Sequence, residues 1–409
     1  MKKRFLSFVL IPLILTACSN QDHEKISTLQ IGTEQDITIN FQFDYEKCKN
    51  NDYPNLNFSG SGIILPELKS LCNLNITFGE QPHSTKEMLV RFEEYCKTFF
   101  GKYDSSNALF SSSTSNITQE EGDGKYAWYP KVDDHLEKLQ NGDINADMLM
   151  YRDIENDNYL WWLASENCPR WVSKGEAYSL VKTDNTRISA WIPSDMDNKA
   201  ATYLNNGEYN NETYHLLDGD ITIGEAVKYF ENDYISSLPF KNIDDNFSIS
   251  VSSIDVYHVK DDTYCYVFNF SSAWKDIAFD SRAESFSYQD TSNQYRISGE
   301  ALMIKKDDID TVVDLVFPFV SNEKQIENMY TLEKAADTVS NKLTKEVVFE
   351  VQTIEFVYQG NFNEERTAAF LEPTWKFVMY NPNDELYYCV YVNSENGECS
   401  YVSYIPLKQ

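Results

Sequence analysis

Apolar positions along this chain fall into two periods, and the points where one period gives way to the other mark its elements. Ile37 to Phe43 and Leu74 to Phe78 alternate apolar with polar side chains, which predicts strands, while Asn50 to Gly62, rich in Asn, Ser and Gly, predicts loop. Ser84 and Glu87 have the spacing of a capping box. Met88, Leu89, Phe92, Cys96, Phe99 and Phe100 then recur at helical spacing until Gly101, so a helix is predicted there. Asp104 to Gly124 is polar and serine-rich and reads as a long loop. Strand-like runs at Ala177 to Lys182 and Arg187 to Ile192, joined through Thr183, Asp184 and Asn185, predict a hairpin. Asp195 to Asn211 is rich in Asn and Asp and reads as a boundary.

The second half repeats itself. Thr222 and Glu225 cap a helix with Ala226, Val227, Phe230 and Tyr234 on one face, and Phe247–Val259, Thr263–Ser271, Tyr295–Ile304 and Thr311–Phe319 read as strands. Thr331 then opens a helix with Leu332, Ala335, Ala336, Val339 and Leu343 on one face. The runs Glu346–Tyr358, Thr374–Tyr380, Leu386–Asn393 and Cys399–Ile405 follow as strands. Val251, Ser253, Ile254 and Asp255 align with Val351, Thr353, Ile354 and Glu355, the mark of a copied unit. The fold class this predicts is α+β. An N-terminal α+β domain spans 37–210, and two tandem helix-on-antiparallel-sheet modules span 216–320 and 331–409.

The first residues change the picture from fold to address. Lys2, Lys3 and Arg4 precede an apolar run from Phe5 to Leu15 that is too short for a permanent membrane span, and Thr16 and Ala17 precede Cys18. Leu15-Thr16-Ala17-Cys18 resembles a bacterial lipobox. The resemblance implies a lipoprotein signal peptide over 1–17 and an acylated Cys18 at the mature N-terminus. It also implies a place on the extracytoplasmic face of the cell membrane. Residues 18–36, polar and charged, read as anchor and flexible tether. Removing Lys2, Lys3 and Arg4 leaves 32 basic residues against 64 acidic ones, a balance of about −32. Such a field repels nucleic acid and anionic headgroups, so the membrane contact expected is the lipid itself.

Leu216-Leu217-Asp218-Gly219-Asp220-Ile221-Thr222 with the Glu225-Ala226-Val227 helix, and Thr331-Leu332-Glu333-Lys334-Ala335 with the Ile354 strand and Pro373-Thr374-Trp375-Lys376-Phe377, resemble PepSY-type and YycH-type extracytoplasmic modules. Those families occur in lipoproteins and membrane-tethered regulators of Gram-positive bacteria. The resemblance covers 216–409 and implies a non-catalytic role: restraint of an envelope protease, or modulation of a sensor or assembly through an envelope protein partner. It carries no site residues with it.

The chemistry-bearing residues form no familiar set. Seven cysteines follow Cys18, an odd number without a C-x-x-C pair, and five scattered histidines give no zinc spacing, so most of these thiols read as small buried apolar groups. Cys389 and Cys399 flank Asn396-Gly397 without standing opposite each other. Asp143, Asn145 and Asp147 open like a calcium loop, but Met148 stands where Gly is needed and Ile154 where a bidentate carboxylate is needed, so no metal is assigned. No serine-nucleophile elbow, phosphate loop or cofactor motif is present, and His215 and His258 read as surface or core groups. Trp161, Trp162 and Trp171 are the candidate ligand platform, since tryptophans can stack on sugar rings as well as fill a core. The leading reading is therefore a lipid-anchored, non-catalytic binding or regulatory protein. A secreted enzyme acting on cell-wall or other glycans is the alternative, with a carboxylate pair that spacing alone does not reveal. A solute-binding lipoprotein comes third, because the strand and helix alternation of a parallel α/β sheet is missing.

Overall fold

The computed structural model describes residues 29–30 and 41–404, apart from 51–52, 59–61, 65–70, 78–79, 114–128, 154–157, 166–168, 174–180, 184–185, 189–198, 206–210, 238–243, 261, 281–297, 310, 316–318 and 364–367. Leu29–Gln30 is a short strand, β1. Phe41–Asn50 is a helix, α1, with Tyr45 and Cys48 buried on one face. This corrects the strand predicted over Ile37 to Phe43, of which 37–40 lie outside the described residues. Phe41, Tyr45 and Cys48 also fit the helical period, and packing of α1 on a later helix decides between the two. Leu56–Asn57 (β2), Gly62–Ile64 (β3) and Cys72–Thr77 (β4) follow.

Thr85–Phe100 forms α2. Ser84 Oγ accepts from the Glu87 amide at 3.2 Å, Gly101 closes the helix at φ 68°, and Met88, Leu89, Phe92, Cys96 and Phe99 are buried. Within the predicted loop lies a strand, Ala108–Ser111 (β5), whose Ala108 and Phe110 are fully buried. Val132–Asn141 (α3), Met148–Asp153 (β6), Asn158–Leu163 (β7) and Arg170–Ser173 (β8) come next. Val181–Thr183 (β9) and Thr186–Ile188 (β10) pair as the predicted hairpin. The predicted boundary contains a strand, Lys199–Leu204 (β11).

The hairpin of Thr213–Leu216 (β12) and Gly219–Thr222 (β13) leads into Ile223–Lys228 (α4). Thr222 and Glu225 form a reciprocal capping box at its start. The helix continues as a π turn over Tyr229–Tyr234 and ends in Ile235–Ser237 (α5). Then come Phe247–Lys260 (β14), Thr263–Trp274 (β15), Ile277–Phe279 (β16), Ser298–Met303 (β17), Thr311–Leu315 (β18), Phe319–Gln325 (β19) and Asn328–Met329 (β20). Leu332–Lys342 (α6), capped by Thr331, precedes Phe349–Phe362 (β21), Ala368–Asn381 (β22), Leu386–Asn393 (β23) and Cys399–Tyr404 (β24).

Backbone pairing joins eighteen of these strands into one mixed network. Nine run antiparallel in the order β11-β14-β15-β17-β18-β8-β7-β6-β5. The other nine are built on the β21–β22 hairpin. β23 and then β24 extend from the C-terminal half of β22, and β4 and then β19 from its N-terminal half. The far edge of β21 takes three short parallel strands in succession, β2, β3 and β16.

This overturns the α+β arrangement of an N-terminal domain followed by two tandem helix-on-antiparallel-sheet modules of the PepSY-like kind. The described protein is mostly strand with few helices, with eighteen strands in one connected sheet of mixed direction and three separate two-stranded ladders. Residues 41–77 pack into a core with 332–392 that includes Leu74, Ile76, Ile354 and Trp375. Residues 88–162 pack into another core with 216–309 that includes Phe92, Trp162, Phe230 and Phe268. The N-terminal segment is thus divided between two units. Leu74 and Ile76 are fully buried because β4 has a neighbour on each edge, β19 and β22, drawn from more than two hundred residues away. Such pairings leave no local trace in sequence.

Candidate functional site

The tryptophans come first because they were the predicted platform. On β7, Trp161 and Trp162 are consecutive, and a strand sends consecutive side chains to opposite faces. Trp162 is fully buried in the first core, edge-on to Tyr95 and beneath the Arg91 guanidinium at 4.8 Å. Trp161 is half-buried on the other face with Met148, Met150 and Tyr159. Trp171 stands opposite Leu160 in the β7–β8 register, and its side chain lies outside the described residues. Trp161 and Trp162 therefore do not share a surface. Cys18, the predicted lipid attachment site, and Cys168 also lie outside the described residues.

The six described cysteines form no disulfide, and Cys48, Cys72, Cys96, Cys265 and Cys389 are buried. Burial pushes the Cys96 thiol well up, away from the thiolate that reactivity requires. Cys389 pairs with Val402 and Cys399 with Val392, so the two are not opposite. No group of three or more metal-ligating side chains occurs among the described residues. His215 Nδ1 meets Asp220 at 2.6 Å on an exposed hairpin.

What the structure does bring together are two ionic clusters that the sequence did not point to. Strands β14 and β21 each carry a bulge at the same place, between Val251 and Ser253 and between Val351 and Thr353. Three residues past the bulge midpoint, Asp255 and Glu355 therefore hold matching positions. Asp255 accepts from Thr202 Oγ1 at 2.6 Å and Asn269 Nδ2 at 3.1 Å, and lies 2.7 Å from Lys199 Nζ on the neighbouring β11. Glu355 stands directly across from Lys376, whose Nζ reaches it at 2.8 Å and Asp280 at 2.7 Å. The second oxygen of Asp280 accepts from Tyr391 Oη at 2.8 Å. Asp280 follows β16, which pairs with both β15 and β21 and buries Ile277 and Phe279 in the second core, and its side chain is 0% exposed; that of Lys376 is 3% exposed. This network fastens the end of β16 to β21, β22 and β23 by buried charge. Its ammonium is committed to carboxylates, which suits a structural tie and not attack on a substrate.

A third polar feature is Glu231, in the π turn. Its carboxylate lies 3.5 Å from both the Val251 amide and the Asn205 side chain, beside the β14 bulge. Burial pushes its pKa up from the ordinary glutamate value. A signal was present in the sequence: Glu231 stands four residues after Val227, where the apolar stripe of the helix calls for a hydrophobic side chain. The matching residue of α6, counted from the capping threonines, is Ser340, whose hydroxyl donates to Asn55 Oδ1 at 2.6 Å.

No family model matches this sequence, and no curated protein matches it. The solved structure of an uncharacterized protein from Eubacterium rectale ATCC 33656 is similar to it with a TM-score of 0.43 at 11% identity, over 87% of this chain and 98% of that one.

Proposed function

We propose that this protein is anchored by lipid to the extracytoplasmic face of the cell membrane and works there by binding, as a regulator of an envelope protein partner, without catalysis. The observation that carries the anchoring is Leu15-Thr16-Ala17-Cys18 at the end of a cationic and then apolar leader. Support for binding comes from how the charged side chains are used. Lys376, Asp280 and Glu355 are spent on one another, and Lys199 on Asp255. The large surplus of acid favours a basic partner surface and speeds its approach.

The test is crosslinking on intact cells from wild-type protein and from Cys18→Ser. The wild type is expected in the membrane fraction with an acylated N-terminus by intact mass, and it should capture a defined envelope protein. Cys18→Ser should leave the membrane. Turnover of cell-wall glycan by the purified ectodomain would overturn the non-catalytic reading.

A further inference from the structure

Among the described residues before α1, the chain is pinned to the body. Leu29 and Gln30 form an antiparallel ladder with Met329 and Asn328. Residues 18–36 therefore do not act as one continuous tether, and the span that sets the reach of the body ends at Leu29. Eleven residue steps separate Cys18 from Leu29. At ~3.6 Å per residue the span is at most about 40 Å, whatever path the chain takes.

The ladder is fastened to a fixed part of the second unit. Met329 is buried in the second core. Tyr330 next to it donates its amide to Ser394, and the Tyr330 carbonyl accepts from Trp375 Nε1 at 2.8 Å. Gly397 sits against the Tyr330 ring so closely that a Cβ there would come within 2.5 Å of it. Thr331 then caps α6. In strand order β22 and β23, which carry this corner, lie on one side of β21, and β16, β15 and the sheet of the first unit lie on the other. From β15, where the two units meet, its sheet runs six strand spacings to β5, about 29 Å at ~4.8 Å each.

Resting on the lipid-anchored reading, we propose that the corner formed by 328–331 and 394–397 is the face apposed to the lipid bilayer, and that the first unit, with α2, α3 and β5–β8, is held outward toward partners. Chain length sets this apposition, and no affinity for headgroups is required.

The test places one fluorescent non-natural amino acid at Glu395 or at Glu137 of the acylated full-length protein. The protein is reconstituted into phosphatidylcholine vesicles that carry acceptor dye at the surface. Glu395 belongs to the corner where the tether ends, so its donor should be quenched at least twofold more than the donor at Glu137 on α3. Leu29→Pro with Gln30→Pro removes the ladder amides and extends the tether toward α1, so the difference should shrink while flotation with vesicles persists. Equal quenching at the two positions in the wild type, or stronger quenching at Glu137, overturns the orientation alone. Protein that fails to float and carries no acyl mass overturns the anchoring and the orientation with it.

Discussion

Asp255 and Glu355 stand at matching points of two hairpins whose first strands share a length of 14 residues, a bulge and a sequence pattern, yet their surroundings differ. Asp255 is served by Lys199 from an edge strand, with a quarter of that lysine exposed. Glu355 shares a sealed lysine with Asp280, which directly follows β16 on the far edge of β21. The matched bulge thus sets where each acid stands, and the strands laid beside it decide whether its lysine is partly exposed, as at Asp255, or sealed, as at Glu355; the two carboxylates themselves are 12% and 14% exposed. The same holds one layer up. Glu231 in the π turn and Ser340 in a regular helix stand equally far from their capping threonines, one as a carboxylate with partners at 3.5 Å and the other as a hydroxyl donating to Asn55 at 2.6 Å.

The sharpest way to break this contrast is to remove the two lysines. Lys376→Met leaves Asp280 and Glu355 without their shared cation, at a cost of about 3–5 kcal/mol. Lys199→Met removes a quarter-exposed lysine and leaves Asp255 its bonds from Thr202 and Asn269, so it should cost below about 1 kcal/mol. Urea midpoints at constant m-value measure both, and equal losses would erase the distinction between the two clusters.

Next in size is Leu74→Ala, at about 2–5 kcal/mol for a fully buried leucine. Because Leu74 lies in the second core, hydrogen exchange should accelerate in 332–392 and not in 88–162, although residue 74 is nearer the latter in sequence. Uniform acceleration would show that the two units open together.

A smaller effect is expected at the turn that passes from one unit to the other. Lys275 and Asp276, both at positive φ, form the two-residue turn between β15 and β16, where asparagine and glycine are the usual occupants. Asp276→Gly should therefore stabilise by about 1 kcal/mol, read as a raised melting temperature. A fall would mean that the Lys275–Glu323 pair at 2.7 Å depends on this backbone.

The smallest effect is the pH dependence of Glu231. Its folded pKa is raised, so the folded state holds a proton that the unfolded state releases, and this contribution to stability is full below the ordinary value of 4.5 and lost as pH rises through the folded pKa. Glu231→Gln should be the more stable protein at pH 7, with the advantage vanishing at pH 4. Denaturation at the two pH values decides it, and a constant difference would assign the effect to packing.

Much of the local structure was legible. Ser84, Thr222 and Thr331 accept the predicted cap hydrogen bonds, and the helical faces behind them are the buried ones. The β23 strand ends where alternation predicts, and the aligned quartets at 251 and 351 carry the same bulge. These features depend on neighbours within a few residues, and local sequence reports them. What failed was of another kind. Phe41 to Phe43 alternates like a strand yet is helical, because α6 offers a face to pack on. Trp161 and Trp162, adjacent in sequence, were parted by the pleat of β7.

Sequence by itself determined the acid surplus, the capped helices and the matching quartets at 251 and 351, since each follows from residue chemistry at short range. Only the tertiary structure decided that residues 41–77 complete the last unit, that Asp280 meets Lys376, and that Leu29 is tied to Met329. Those contacts join segments tens to hundreds of residues apart, and they form because edge strands and buried charges must find partners wherever the chain can supply them.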